Sequence, residues 1–198
     1  MKCPRCGSKD TARILYGSPV MDEETERKLE SKKLYLGGCC VTGHDPKYHC
    51  FGCNRDFGTP PLFDSKNGTK DYRETVIGLC FEVGGFFQGF KRVSIDAADS
   101  RAILRVELPF DEAFLCREMS LEEWARLLER LYCKLYLHEW KKRFDSEHVC
   151  GGEQWSLELK LSGDRVRNYY GNNEYPPYWK ELLKTFEPFF KETALQSL

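Results

Sequence analysis

Two C-x-x-C pairs, Cys3-Pro4-Arg5-Cys6-Gly7 and Cys50-Phe51-Gly52-Cys53-Asn54, restrict what the first 53 residues can fold into more than any other feature of the chain. Thiols three positions apart on a tight turn face one point. The residue behind each pair, Gly7 or Asn54, tolerates the left-handed backbone that such a knuckle requires. Two knuckles together offer four soft sulfur donors, the set that closes a tetrahedral shell around Zn2+ at about 2.3 Å per bond. The expectation is one structural zinc ion held by Cys3, Cys6, Cys50 and Cys53. A redox pair would need C-x-x-C at the start of a helix beside a βαβ pattern, and neither pair is followed by helical periodicity. A catalytic zinc keeps one position open, which four thiolates do not leave.

Six of the ten cysteines lie in this first segment; the other four, at positions 80, 116, 133 and 150, are scattered and read as small core hydrophobes. Met1-Lys2-Cys3-Pro4 lacks the basic-then-apolar pattern of a secretory signal, and no apolar run is long enough for a membrane span. The expectation is a soluble cytoplasmic chain with no membrane partner and with reduced thiols. Cys39 and Cys40 follow Gly37-Gly38, and His44 and His49 stand close to the second knuckle. These four leave room for a ligand exchange or a second metal. The favoured reading is a strand from Leu34 to Thr42, with His49 beside the site and outside it.

Cys6 and Cys50 are separated by 43 residues, far more than the roughly 15–20 of the usual paired spacing. Within this insert Asp22-Glu23-Glu24-Thr25-Glu26-Arg27-Lys28-Leu29-Glu30 places acids first and bases later, as a short solvated helix does. The order C-P-x-C-G-S-x-D, Ile14-Leu15-Tyr16-Gly17-x-Pro19, Leu36-Gly37-Gly38-Cys39 and Pro46-x-Tyr48-His49-Cys50-x-x-Cys53 resembles a zinc-ribbon module of uncharacterised bacterial proteins. The resemblance covers residues 1–60 and implies a bound zinc on the same four cysteines; it implies no reaction.

Turn formers crowd Gly58 to Gly68, and the hydrophobic pattern restarts after them. We divide the chain into a zinc-ribbon domain 1–60, a linker 61–73 and an α+β domain 74–198. In the last, Val76 to Val83 reads as a strand, Gly84-Gly85 as a hairpin turn, and Phe86 to Ile95 and Arg101 to Leu108 as two more strands. Ser120-Leu121-Glu122-Glu123 is a capping box opening a long helix whose stripe runs through Leu121, Trp124, Leu128, Leu131 and Leu135 and is widened by Leu127, Tyr132, Tyr136 and Trp140. Trp155 to Leu161 alternates apolar and polar residues as a half-buried antiparallel strand does, and Arg165 to Tyr170 returns beside it. Pro177 opens a short last helix that Pro188 limits. The fold class is α+β, with an antiparallel sheet of about five strands packed by one long and one short helix. Trp155-x-Leu157-x-Leu159, Gly163-Asp164, Gly171-x-Asn173-x-Tyr175-Pro176 and Trp179 are similar to the closing segment of small bacterial proteins of unknown function, which implies this same layer and no chemistry.

No catalytic set converges in the sequence. The carboxylate pairs Asp111/Glu112, Glu122/Glu123 and Asp145/Glu147 read as surface charge. His138 and Glu139 are adjacent on the expected helix, about 100° apart, and share no proton there; His148 and Cys150 fall in a loop. Gly84-Gly85-x-x-x-Gly89 precedes a strand and is no phosphate loop. Tyr175, Tyr178 and Trp179, among turn residues, are candidate binding aromatics. Residues 1–63 carry 10 basic and 8 acidic residues and residues 64–198 carry 20 and 23, with a net charge of -1 overall. Strong nonspecific nucleic-acid binding needs a basic excess, so nucleic acid is confined to local patches such as Lys141-Lys142-Arg143. The expected function is a non-catalytic binding or adaptor protein contacting a protein partner, with a nucleic-acid regulator or an enzyme of unrecognised site as the alternatives.

Overall fold

A computed structural model of the chain describes residues 1–65, 68–97, 101–111, 113–145 and 152–196. In the first segment β1 (Thr11–Leu15), β2 (Leu34–Leu36), β3 (Tyr48–Cys50) and β4 (Arg55–Phe57) form one sheet in the order β2-β1-β3-β4. β1 pairs antiparallel with β3 but parallel with β2. A parallel pair needs a crossover of a dozen or more residues, and this is what the long insert supplies. The crossover contains α1 (Glu23–Glu30), whose N-terminus is capped by the Asp22 carboxylate accepting from the Thr25 N–H at 2.8 Å, and which buries no residue. The strand expected from Leu34 to Thr42 ends at Leu36. Gly37 and Gly38 then turn back on β1, donating to the Leu15 carbonyl and accepting from the Gly17 N–H.

The larger sheet has seven strands where the sequence suggests about five. They are β7 (Val76–Gly85), β8 (Gly89–Asp96), β9 (Ala102–Glu107), β10 (Phe114–Met119), β11 (Arg143–Asp145), β12 (Gln154–Leu161) and β13 (Arg165–Asn172), in the order β10-β9-β8-β7-β12-β13-β11. All neighbours are antiparallel except β11 and β13. Residues expected as linker instead form a small hairpin, β5 (Phe63–Ser65) with β6 (Gly68–Lys70), and a short helix α2 (Tyr72–Thr75). Phe63 and Tyr72 join the large core.

One face of the sheet is apolar. Phe81, Ile95, Leu104, Leu157 and Tyr169 bury against α3 (Leu121–Glu129) and α4 (Trp179–Gln196), with Phe81 stacked on Phe186 at 4.4 Å. The opposite face is polar and laced across strands: Arg92 reaches Glu82 and Glu107, and Asp96 takes Arg105 and Lys160. This alternation is that of a sheet covered on one side only.

Two helices depart from expectation. Ser120 caps α3, accepting from the Glu123 N–H at 3.1 Å, but the helix widens at Arg130–Lys134 into a π turn, closed by the Leu135 N–H on the Arg130 carbonyl. Tyr136 then takes a left-handed conformation (φ 52°) before a 3-10 turn, Leu137–Glu139. Leu131, Tyr132, Leu135, Tyr136, Leu137 and Trp140 are all buried, a set too broad for one straight helix to turn toward one sheet. Breaking the helix lets each find cover, and the Trp140 indole N–H satisfies the freed Leu135 carbonyl at 2.9 Å. The last helix runs 18 residues, through Pro188. An interior proline forfeits a backbone bond, but Leu182 and Phe186 on one side and Phe189 on the other anchor both halves in the core. Among the described residues no helix is long and apolar enough to cross a membrane.

Candidate metal centre

The first knuckle precedes β1, and the second is the turn between β3 and β4, which brings Cys50 and Cys53 opposite Cys3 and Cys6. Gly7 (φ 76°) and Asn54 (φ 52°) adopt the left-handed backbone behind each pair. The Cys3 N–H bonds to the Ser8 carbonyl and the Gly7 N–H to the Cys3 carbonyl, closing the first loop. The knuckles approach so closely that a Cβ on Gly52 would stand 2.9 Å from the Ser8 side chain.

All four sulfurs lie within 4.8 Å of one another, with Cys3 to Cys53 at 3.8 Å and Cys6 to Cys50 at 3.6 Å. A disulfide would need about 2.05 Å. A regular tetrahedron with metal–sulfur bonds of about 2.3 Å has edges of roughly 3.8 Å, so the four sulfurs stand at a spacing able to hold a metal ion. Their electrostatics show what a cation would relieve. Burial pushes the Cys53 thiol up to about 12, reinforced by the three neighbouring thiols. Burial also raises Cys3, against the N–H groups of Cys6 and Arg5 turned toward its sulfur. Cys6 is held below its usual value: burial acts upward, but the Ser8 N–H and the other thiols outweigh it. Four crowded thiols cannot all ionise alone, whereas a dication between them favours the thiolate form of each.

The neighbouring candidates point elsewhere. His49 is buried with Nδ1 2.6 Å from Asp56 Oδ1, and its ring stacks on Tyr35 at 3.8 Å. Cys39 and Cys40 are exposed, 4.0 Å apart, and neither they nor His44 join the four-cysteine group.

Of the aromatic candidates, Tyr178 is buried, 9% exposed, with its hydroxyl on the Lys2 carbonyl. Trp179 packs on Trp155 at 5.0 Å, and Tyr175 stacks on Trp179 at 4.9 Å. The group therefore fastens α4 to the sheet and to the first knuckle, and Tyr175 is the most exposed of the three. In the basic patch Lys141 and Lys142 are exposed, while Arg143 is engaged by Asp145 and lies over Tyr170.

Glu122 pairs with Arg126, Glu123 with Arg117 and Asp145 with Arg143. Glu112, Glu147, His148 and Cys150 lie outside the described residues. His138 and Glu139 share a 3-10 turn and approach to 3.7 Å, closer than adjacent positions on an α-helix suggest, yet the His138 side chain is only 7% exposed and its ring nitrogens lack well-formed hydrogen bonds.

Three exposed aromatics, Phe86, Phe87 and Phe110, carry no functional signal in the sequence pattern. Phe86 was expected in a strand, but β8 begins only at Gly89, and both phenylalanines stand in the turn, 88% and 90% exposed. The signal for the turn was the tight Gly84-Gly85 and Gly89 frame, which leaves the residues between it no room in the ladder. Phe110, 70% exposed, has a left-handed backbone (φ 57°) costly for a bulky residue. Comparison with protein-family models, curated proteins and solved structures finds no match to this chain.

Proposed function

We propose that the chain is a zinc-binding adaptor without catalytic chemistry of its own, which holds a protein partner. Zinc is favoured by an all-thiol tetrahedral donor set, the combination that suits Zn2+ among common divalent ions. Four thiolates complete its shell, so the ion's role is structural.

The observation that carries the adaptor reading is the Phe86–Phe87 turn. Its two rings pack edge to face on each other at 5.3 Å and are almost wholly exposed. Burying one such ring contributes about 1.5–3 kcal/mol, and an apolar patch of this kind marks a contact site. The near-neutral net charge favours a protein over a nucleic acid.

The test is capture from host lysate at physiological salt, with and without nuclease, using the tagged full-length protein and its Phe86→Ser/Phe87→Ser variant. The expected result is a stoichiometric protein that survives nuclease and is lost from the variant, with one zinc per chain in both baits. Nuclease-sensitive recovery, or equal recovery by both baits, would overturn the reading.

A further inference from the structure

α4 carries two faces. One, through Leu182, Phe186 and Phe189, enters the core. The second, Lys180, Leu183, Lys184, Glu187, Phe190 and Lys191, recurs at three and four residues and lines a groove of about 830 Å3. Its opposite wall is Val83, Gln88, Lys91 and the Leu108-Pro109 segment, and Gln88 is the residue that follows Phe87 in the chain. Leu183 and Phe190, seven residues apart, are half-buried on the floor; the lysines of α4 are exposed on the rim. Positions spaced in this way form the seam through which one helix receives another. Among the described residues no element covers it.

The groove's charge selects its occupant. Lys91, Lys180, Lys184 and Lys191 face it against Glu153 and Glu187. Lys191 pairs with Glu187 at 2.7 Å and Lys91 stands over the Phe190 ring, while Lys180 and Lys184 form no ion pair among the described residues. The result is an apolar floor under a positive rim. A nucleic-acid strand, charged at every residue, would have to carry phosphates past both glutamates. A lipid surface is too flat to fill a concave groove. A helix sets apolar anchors on the floor, carboxylates against Lys180 and Lys184 and neutral residues against the glutamates.

We propose that this groove binds an acidic amphipathic helix of a partner protein, laid along α4 with its apolar anchors over Leu183 and Phe190. The proposal rests on the adaptor reading and names the class of partner.

The test is selection from a phage-displayed library of peptides of about 16 residues, long enough to span the seam at about 1.5 Å per residue, panned on the full-length metal-loaded protein. Fluorescence anisotropy of the enriched peptides then compares wild type with Lys180→Glu/Lys184→Glu, whose exposed substitutions leave the melting temperature unchanged. The expected consensus is acidic, with apolar residues at i, i+3 or i+4 and i+7, and binding weakens about tenfold or more in the variant and with added salt. No enrichment, a basic or non-helical consensus, or binding that the variant leaves intact would overturn the proposal. Binding of oligo-dT or of phosphatidylglycerol vesicles in place of peptides, lost in the same variant, would overturn it in favour of nucleic acid or lipid. If the groove fails while a lysate partner still depends on Phe86 and Phe87, the adaptor reading stands. If that partner is absent, the adaptor reading falls whatever the peptides do.

Discussion

The Tyr178 hydroxyl donates to the Lys2 carbonyl at 2.6 Å across 176 residues of sequence, so the lead-in to α4 holds the chain immediately ahead of the first knuckle. The contact is reinforced around it. The Lys2 ammonium reaches the Pro177 carbonyl, Arg5 lies 3.7 Å from Glu139, and Phe57 meets the Tyr136 ring edge to face at 5.9 Å. Burial, with Tyr136 nearby, pushes the Tyr178 phenol up to about 12 despite the opposing Lys2 backbone, so it remains a donor at neutral pH. The four-cysteine cluster and the seven-stranded sheet are thus fastened to each other by side chains from both ends of the chain.

Tyr178→Phe removes that donor while keeping the ring, and the cost expected is about 1–2 kcal/mol. Tyr178→Ala also removes a buried ring, at about 3–5 kcal/mol. Urea unfolding reads both, and amide exchange at residues 1–7 should quicken in each. Unchanged stability in the alanine variant would return Tyr178 to a surface role.

Cys50 is fully buried, and its sulfur stands 3.6 Å from Cys6. Cys50→Ser should abolish stoichiometric metal and leave residues 1–60 without amide protection, because metal binding in small metal-folded units contributes about 10–16 kcal/mol. The large sheet should persist, since its core is built around Phe81, Phe186 and Leu157, away from the cluster. Cys116→Ser, at an exposed position, is the control and should keep its metal. Metal content by mass spectrometry and exchange protection decide it; metal retained by the Cys50 variant would remove the four-cysteine assignment.

Features written in neighbouring residues were legible. The Trp155–Leu161 alternation matches β12, the Ser120 capping box starts α3, the acid-to-base order after Asp22 becomes α1, and each knuckle's shape follows from C-x-x-C. Features decided by distant partners were hidden. β10 is hidden in the sequence because Arg117 takes the inward register between Leu115 and Met119, a position that strand alternation assigns to an apolar residue. Only Glu123 on α3 and Glu192 on α4 make that position tolerable. Pro188 reads as a stop, yet buried anchors on both sides carry the helix through it. The glycines at 84, 85 and 89 mark the turn locally, but the exposure of Phe86 and Phe87 is a property of the whole sheet end.

Arg117 joins three elements with one fork, reaching Glu192 at 2.8 Å through Nε and Glu123 at 3.0 Å through a terminal nitrogen. The two glutamates raise its basicity beyond that of a free guanidinium. A lysine supplies the charge but no planar fork. Arg117→Lys should therefore cost about 1 kcal/mol, more than the usual exposed pair, and should quicken amide exchange in β10 and in the last turns of α4. Equal midpoints in urea for wild type and variant would show that charge alone, without the fork, holds this corner.

His138 gives the fold a pH dependence whose direction follows from its burial. Its ring lies parallel to Tyr132 at 5.8 Å, and both ring nitrogens lack well-formed hydrogen bonds. Burial holds its pKa down to about 4 from 6.5, with the Thr59 backbone acting upward and Arg167 downward. Above pH 6.5 neither state takes up a proton there and stability is fully present. Below it the unfolded chain is protonated and the native one is not, so stability falls as pH drops toward 4 and levels off beneath it. At pH 5 the loss from this residue is about 2 kcal/mol. His138→Leu fills the site without a titratable ring. Urea unfolding of both proteins at pH 7, 6 and 5, with excess zinc throughout, should show wild type losing about 2 kcal/mol more than the variant over that interval, any metal release being common to both. Parallel profiles for the two proteins would place the acid sensitivity in other groups.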